Sequence, residues 1–124
     1  MIVTVEELKQ AKKMLYERNI KYDKDIEVGI MVETPAAAVM TKDLAKEVDF
    51  FSIGTNDLIQ YMTASDRLNV KVQNLYDTCN IAVLRMVQQI IEAGHSENIR
   101  VGICSEMASD YKMVPILVGM ELKN

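Results

Sequence analysis

The sequence predicts an α/β fold with a parallel sheet, on three observations. Helix-like segments alternate with short apolar runs, in the order helix and then three strand–helix units. The runs are rich in β-branched residues and apolar along their whole length, which suits strands covered on both faces, as in a barrel or a doubly wound sheet. Each run ends in polar residues: Glu33, then Asn56 and Asp57, then Cys104 with Glu106. The chain has 124 residues, room for one domain at ~100–200 residues each, and reads as a single domain over 1–124.

The elements follow in order. Thr4-Val5-Glu6-Glu7 has the form of a capping box, with Thr4 as N-cap and Glu7 reaching back. Val5, Leu8, Met14 and Leu15 then fall near one face of a helix running to about residue 18. After a polar connector, residues 26–32 form an apolar strand ending at Glu33. Thr34-Pro35 pairs an N-cap with a proline at the first helical position, opening a helix over 36–47. Residues 48–53 read as the second strand, ending in Gly54-Thr55-Asn56-Asp57, with a short helix over 58–63. Residues 64–78 carry charges without a clean period and read as a long excursion. Asn80 is the expected N-cap of a helix over 81–93, with Val83, Leu84, Val87, Ile90 and Ile91 as its apolar stripe and Gly94 as the residue beyond its end. Residues 101–104 are the third strand. A last helix spans 110–120, with Pro115 near its first turn.

Composition narrows the function classes. Hydrophobic residues make up 49% and charged residues 26%, with 5 Gly and 2 Pro, which excludes disordered and collagen-like material. The formal net charge of -4 lacks the basic footprint of a general nucleic-acid binder. Two cysteines, Cys79 and Cys104, are too few for a disulfide scaffold and read as reduced thiols. No apolar run reaches the ~18 residues of a membrane span, and the N-terminus lacks the basic-then-apolar pattern of a secretory leader. The expected setting is therefore the cytoplasm. Met is common at 9 and Trp absent, so the core is aliphatic and thioether in character.

In parallel α/β folds ligands bind at the carboxyl ends of the strands, where loops and helix N-termini gather. Glu33 and Asp57 place two carboxylates there. Mg²⁺ is commonly held by one or two carboxylates with substrate oxygens and waters; equally, each carboxylate could simply favour the start of its helix. Arg67, in the excursion, has a guanidinium that forks onto phosphate or carboxylate, or it pairs with Asp66 at the surface. Cys104 is either a small buried thiol or, facing the site, a proton donor. Cys79 reads as structural, and His95, the single histidine, as a helix-end surface residue.

Four stretches carry a family resemblance: Gly29-Ile30-Met31-Val32-Glu33-Thr34-Pro35-Ala36-Ala37, Val48 through Tyr61 with Phe-Phe-Ser-Ile-Gly-Thr-Asn-Asp-Leu at its centre, Asp66-Arg67, and Cys104-Ser105-Glu106-Met107-Ala108. Together they resemble the C-terminal domain of the enzyme I family, the phosphoenolpyruvate–protein phosphotransferases of bacterial sugar uptake. The resemblance covers essentially the whole chain. Gln60-Tyr61 and Asp66-Arg67 favour this family over the phosphoenolpyruvate-utilising dikinases and synthases.

The resemblance implies a partial TIM-type (β/α)₈ barrel that binds phosphoenolpyruvate and Mg²⁺. Glu33 and Asp57 match metal ligands, Asn56 a contact to the substrate phosphate, Arg67 a binder of its anionic groups, and Cys104 the acid that protonates the enolate carbon. A whole barrel takes ~250 residues, so three strands imply roughly its second half. The resemblance thus implies no turnover by this segment alone. The phosphocarrier protein would be met by a domain not represented here. Uncovered sheet edges lead to an expectation of self-association into a homo-oligomer. Ser105 and Ser109 replace usual glycines of the cysteine motif, Glu121 replaces another, and Leu122-Lys123-Asn124 do not continue into the family's final strand. A non-catalytic phosphoenolpyruvate-sensing module is the alternative from a different class.

Overall fold

Short apolar runs bounded by polar residues form the three strands: β1 (Gly29–Val32), β2 (Phe50–Ile53) and β3 (Arg100–Ile103). They lie parallel in the order β1-β2-β3, with Val32 opposite Ile53 and Ile53 opposite Ile103. The structure, a computed structural model, describes residues 2–122, with side chains from Val5 onward. The helices are α1 (Ile2–Glu17), α2 (Pro35–Val39), α3 (Thr41–Leu44), α4 (Thr55–Thr63), α5 (Ile81–Ser96) and α6 (Val114–Gly119). Among the described residues, no helix is long and apolar enough to cross a membrane. Three parallel strands taken in chain order are common to a stretch of a (β/α)₈ barrel and to one half of a doubly wound sheet.

Alternation along the strands defines two faces. Val32, Phe51, Ile53 and Val101 turn to the covered face and are buried against α5, whose Val83, Val87, Ile90 and Ile91 are also buried. Met107, Met113 and Leu117 close the same core below β3. The opposite face carries Gly29, Met31, Phe50, Ser52, Arg100 and Gly102, and Met31 stands 46% exposed. Within this chain the strands are therefore covered on one face, not both. Whole-length apolarity follows from glycine and methionine on the open face rather than from packing on it.

Several boundaries differ from expectation, each for a local reason. α1 begins at Ile2, so Thr4 lies inside the helix rather than at its N-cap; the Thr4 side chain lies outside the described residues. Of its apolar stripe Val5 is buried and Leu15 half-buried, while Leu8 and Met14 are exposed. An ion pair of 2.6 Å between Lys9 and Glu47 ties α1 to the end of the α3 segment. It holds the Glu47 carboxyl below the usual carboxylate range, chiefly through its hydrogen bond from Lys9.

The expected helix over 36–47 is two helices. Met40 leaves helical geometry at φ -89°, ψ 5°, and its N–H is shared between the Ala36 and Ala37 carbonyls. The buried Thr41 hydroxyl donates to the Ala38 carbonyl at 2.8 Å, competing with the regular ladder. Thr34 does cap α2, accepting from Ala37 N at 3.2 Å.

The connection 64–78 is held by its own acids and amides. Asp66, Asn69 and Asp77 each accept from the backbone N–H two residues on, at 2.9, 3.1 and 2.9 Å. A 3₁₀ turn at Gln73–Leu75 is its one regular piece. Asn80 caps α5, accepting from Ala82 N at 2.9 Å.

Gly94 is not beyond the end of α5 but inside it, and it serves close approach. A Cβ there would fall 2.3 Å from a Val101 methyl carbon. The left-handed residue after α5 is Asn98, at φ 59°. α6 begins at Val114, so Pro115 sits in its first turn, where its missing N–H costs nothing.

Candidate functional site

The carboxyl ends of the three strands stay in register one step beyond the ladder. Gly54 N donates to the Val32 carbonyl at 3.0 Å, and Cys104 N to the Ile53 carbonyl at 3.1 Å. Glu33, Gly54 and Cys104 therefore form one row along the rim. Their alternation continues that of Met31, Ser52 and Gly102, toward the open face.

Gly54 makes room for Glu33. A Cβ at position 54 would lie 2.9 Å from Glu33 Cβ and 3.1 Å from its Oε2. The half-buried Glu33 side chain thus leans over the β2–α4 turn.

α4 starts at Thr55, three residues earlier than the sequence suggests, because Gly54 supplies the first helical carbonyl at 3.1 Å to Leu58 N. Asn56 and Asp57 consequently stand in the first helical turn, both half-buried. Asp57 does sit where a helix start favours negative charge, and it also faces a partner. Its Oδ1 accepts from the Gln60 side-chain amide at 3.0 Å, while Gln60 Oε1 accepts from Arg67 N at 3.0 Å. One glutamine thus fixes both the Asp57 carboxylate and the backbone of Arg67.

Arg67 does not pair with Asp66, whose Oδ1 is occupied by Leu68 N. Its charge acts instead on Tyr76. The Tyr76 hydroxyl donates to Asn56 Oδ1 at 3.2 Å. Burial pushes its pKa above the ordinary tyrosine value, the nearby Arg67 opposes this, and the carboxylates of Glu106 and Asp57 add to it. Tyr76 therefore sits among four charged or polar groups drawn from α4, the excursion and the loop after β3.

Cys104 is exposed, which removes the buried-thiol reading and leaves the thiol open at the rim. The following Ser105 is in extended geometry, at φ -171°, and its hydroxyl is hydrogen-bonded to that of the fully buried Thr55. A side chain at 105 thus ties the cysteine loop to the start of α4 without backbone strain. Cys79 is exposed as well, with its Sγ 3.6 Å from Met113 Sδ. His95 stands in the last turn of α5.

Over residues 1–124 the sequence matches the family described as PEP-utilising enzyme, PEP-binding domain. The chain belongs to this family. It is 53% identical to the phosphoenolpyruvate-protein phosphotransferase of Bacillus subtilis (strain 168), over 98% of this chain and 23% of that protein. It is 52% identical to the protein of the same name from Priestia megaterium, over 98% of this chain and 22% of the relative. A third, from Mycoplasma capricolum, is 49% identical over the same shares. The PEP-binding-domain chain thus spans less than a quarter of the length of these curated relatives.

As a PEP-binding domain, the rim offers hard oxygen donors from Glu33 and Asp57. No group of three or more His, Cys, Asp or Glu is placed to hold a metal among the described residues. Carboxylates are the donor type that magnesium takes one or two at a time, with substrate and water supplying its remaining oxygens. Two carboxylates do not fit a structural zinc site, which needs four protein ligands.

Of the expected site residues, the structure gathers Asn56, Asp57 and Arg67 through Gln60 and Tyr76. It puts Glu33 and Cys104 on one register row with Gly54. Tyr76 and Thr55 are additions that reading along the chain misses. Tyr76 lies in an unpatterned stretch, and its partner is 20 positions away. Glu121, at a position where the family resemblance implies glycine, has φ 61°, a left-handed conformation that glycine adopts without cost.

Proposed function

We propose that this chain is the part of a phosphoenolpyruvate–protein phosphotransferase that holds Mg²⁺ and phosphoenolpyruvate at the strand ends of a (β/α)₈ barrel. The 124 residues supply three of its strands as one domain segment and do not turn over alone. The single observation that supports the proposal is the register row that sets Glu33, Gly54 and Cys104 at the carboxyl ends of three parallel strands, with Asn56 and Asp57 in the helical turn that follows Gly54, in a chain of the PEP-binding-domain family.

Glu33 and Asp57 would hold the metal, which when bound neutralises charge on the phosphoryl group and enolate. The Asn56 amide would donate to a phosphate oxygen, and Arg67 would face the anionic groups. In the complete reaction the phosphorus–oxygen bond breaks as the phosphoryl group passes to a histidine on another domain. That domain then passes it to the phosphocarrier protein. The enolate carbon takes its proton from the Cys104 thiol, giving pyruvate. A thiol suits that step because its S–H carries a transferable proton. The cytoplasm, where thiols stay reduced, is the proposed location.

Calorimetric titration of this chain with Mg²⁺ and phosphoenolpyruvate is expected to show binding heat that Asp57→Ala removes. Equal heat from Asp57→Ala would refute the site, and pyruvate release by the chain with carrier protein would refute its dependence on the other domains.

We also propose that the chain pairs with a second copy. Among the described residues both outer strands have an unpaired edge, and Met31, Leu68, Val70, Ile81 and Val118 are exposed. Sedimentation is expected to give a species larger than 14.0 kDa; a well-behaved monomer would overturn this.

A further inference from the structure

The Tyr76 hydroxyl meets the site at a side chain whose orientation decides what it can do. Asparagine has an acceptor at one end of its amide and two donors at the other. An anion is served only by the donor end. The Tyr76 hydroxyl donates to Asn56 Oδ1 at 3.2 Å, so the acceptor end is occupied and Nδ2 is turned the other way. The phenol can play this role only while it keeps its proton. Burial favours the protonated form, opposed by the nearby Arg67 and aided by the carboxylates of Glu106 and Asp57.

We propose that Tyr76 is a positioning residue for anion binding, presetting the Asn56 amide so that its N–H donors face the site. This rests on the reading of the strand ends as a phosphoenolpyruvate site. It adds a residue from the long excursion, which otherwise contributes only Arg67. The excursion then serves the site twice: once with a charge, and once with a neutral hydroxyl that fixes the direction of its neighbour's dipole. The Asx turns at Asp66 and Asn69 shape the backbone leading to Tyr76, and the one at Asp77 shapes the backbone that follows it.

Tyr76→Phe removes one oxygen and keeps the ring. Two measurements on the 124-residue chain test the idea. The first needs no ligand: the Asn56 side-chain NH₂ resonances are expected to shift and to lose rigidity in Tyr76→Phe. Unchanged resonances would overturn the positioning role whatever the chain binds. The second is a double-mutant cycle read by titration with Mg²⁺ and phosphoenolpyruvate. Tyr76→Phe should weaken binding about fivefold, the worth of one hydrogen bond. In an Asn56→Ala background it should cost nothing further. An equal loss in both backgrounds would mean that Tyr76 acts generally on the fold, and would overturn the proposal. If the unaltered chain shows no binding while the resonances still respond, the phosphoenolpyruvate reading fails and the positioning of Asn56 stands. Collapse of the Tyr76→Phe spectrum to that of an unfolded chain would count against positioning.

Discussion

Phe51→Ala is expected to lower the unfolding free energy by about 3–5 kcal/mol, the usual cost of emptying a fully buried aromatic site. Phe51 is on the central strand, faces α5 and is 1% exposed. Its register partners are Ile30 and Val101. The ring passes beneath Gly94, where an added Cβ would meet Phe51 Cδ2 at 3.5 Å. Nothing nearby can collapse into the void, because both flanking strands are held by ladder bonds and the helix already touches the sheet. Small domains are stable by only ~5–15 kcal/mol, so the loss is a large share of the whole. Urea denaturation followed by circular dichroism measures it. A change under about 1 kcal/mol would mean that the sheet and α5 are not packed as described.

Gly54→Ala is expected to leave the fold standing and to cost at least about tenfold in Mg²⁺–phosphoenolpyruvate affinity. The new methyl would sit 2.9 Å from Glu33 Cβ and 3.4 Å from Met31 Cγ. Met31 Cγ can swing into solvent, whereas Glu33 Cβ is fixed to its backbone, so the rim at Glu33 must itself shift to admit the methyl. The backbone at Gly54 has φ -87°, which alanine adopts without strain. The cost therefore falls on the direction of the Glu33 carboxylate. Misplacing a ligand by about 1 Å is enough for such a loss. Titration calorimetry together with a thermal melt separates the two effects. Unchanged affinity would show that Glu33 is not a ligand, and a lost melt would show that Gly54 serves the fold instead.

The parts of the site that a sequence exposes are those marked by a change of pattern. Glu33, Asn56, Asp57 and Cys104 stand out because each follows an apolar run, and strand ends are where parallel sheets gather function. Their secondary-structure setting was less legible. Asp57 reads as loop before a helix at Leu58, whereas Gly54 starts that helix earlier and puts Asp57 in its first turn. The helix over 36–47 reads as unbroken because its composition is alanine-rich. The break depends on one buried hydroxyl, Thr41, returning to a carbonyl, and no periodicity records that. Gly94 reads as a terminator, but its function is the absence of a methyl group against Val101. Tyr76 and the Thr55–Ser105 pair are contacts between residues far apart in the chain, set by how the excursion folds back.

The row formed by Glu33, Gly54 and Cys104 makes the sheet a ruler for the chemistry. Each strand advances about 3.3 Å per residue and alternates its side chains between faces. A slip of β1 past β2 by one residue would carry Glu33 that far along the rim and turn it to the wrong side. No small error is available, because the ladder permits only whole steps. Two backbone bonds, Gly54 N to Val32 O and Cys104 N to Ile53 O, lock the zero of that scale. The spacing between a proposed metal ligand and the thiol two strands away is thus quantised by peptide geometry, with side-chain rotamers left only the fine adjustment.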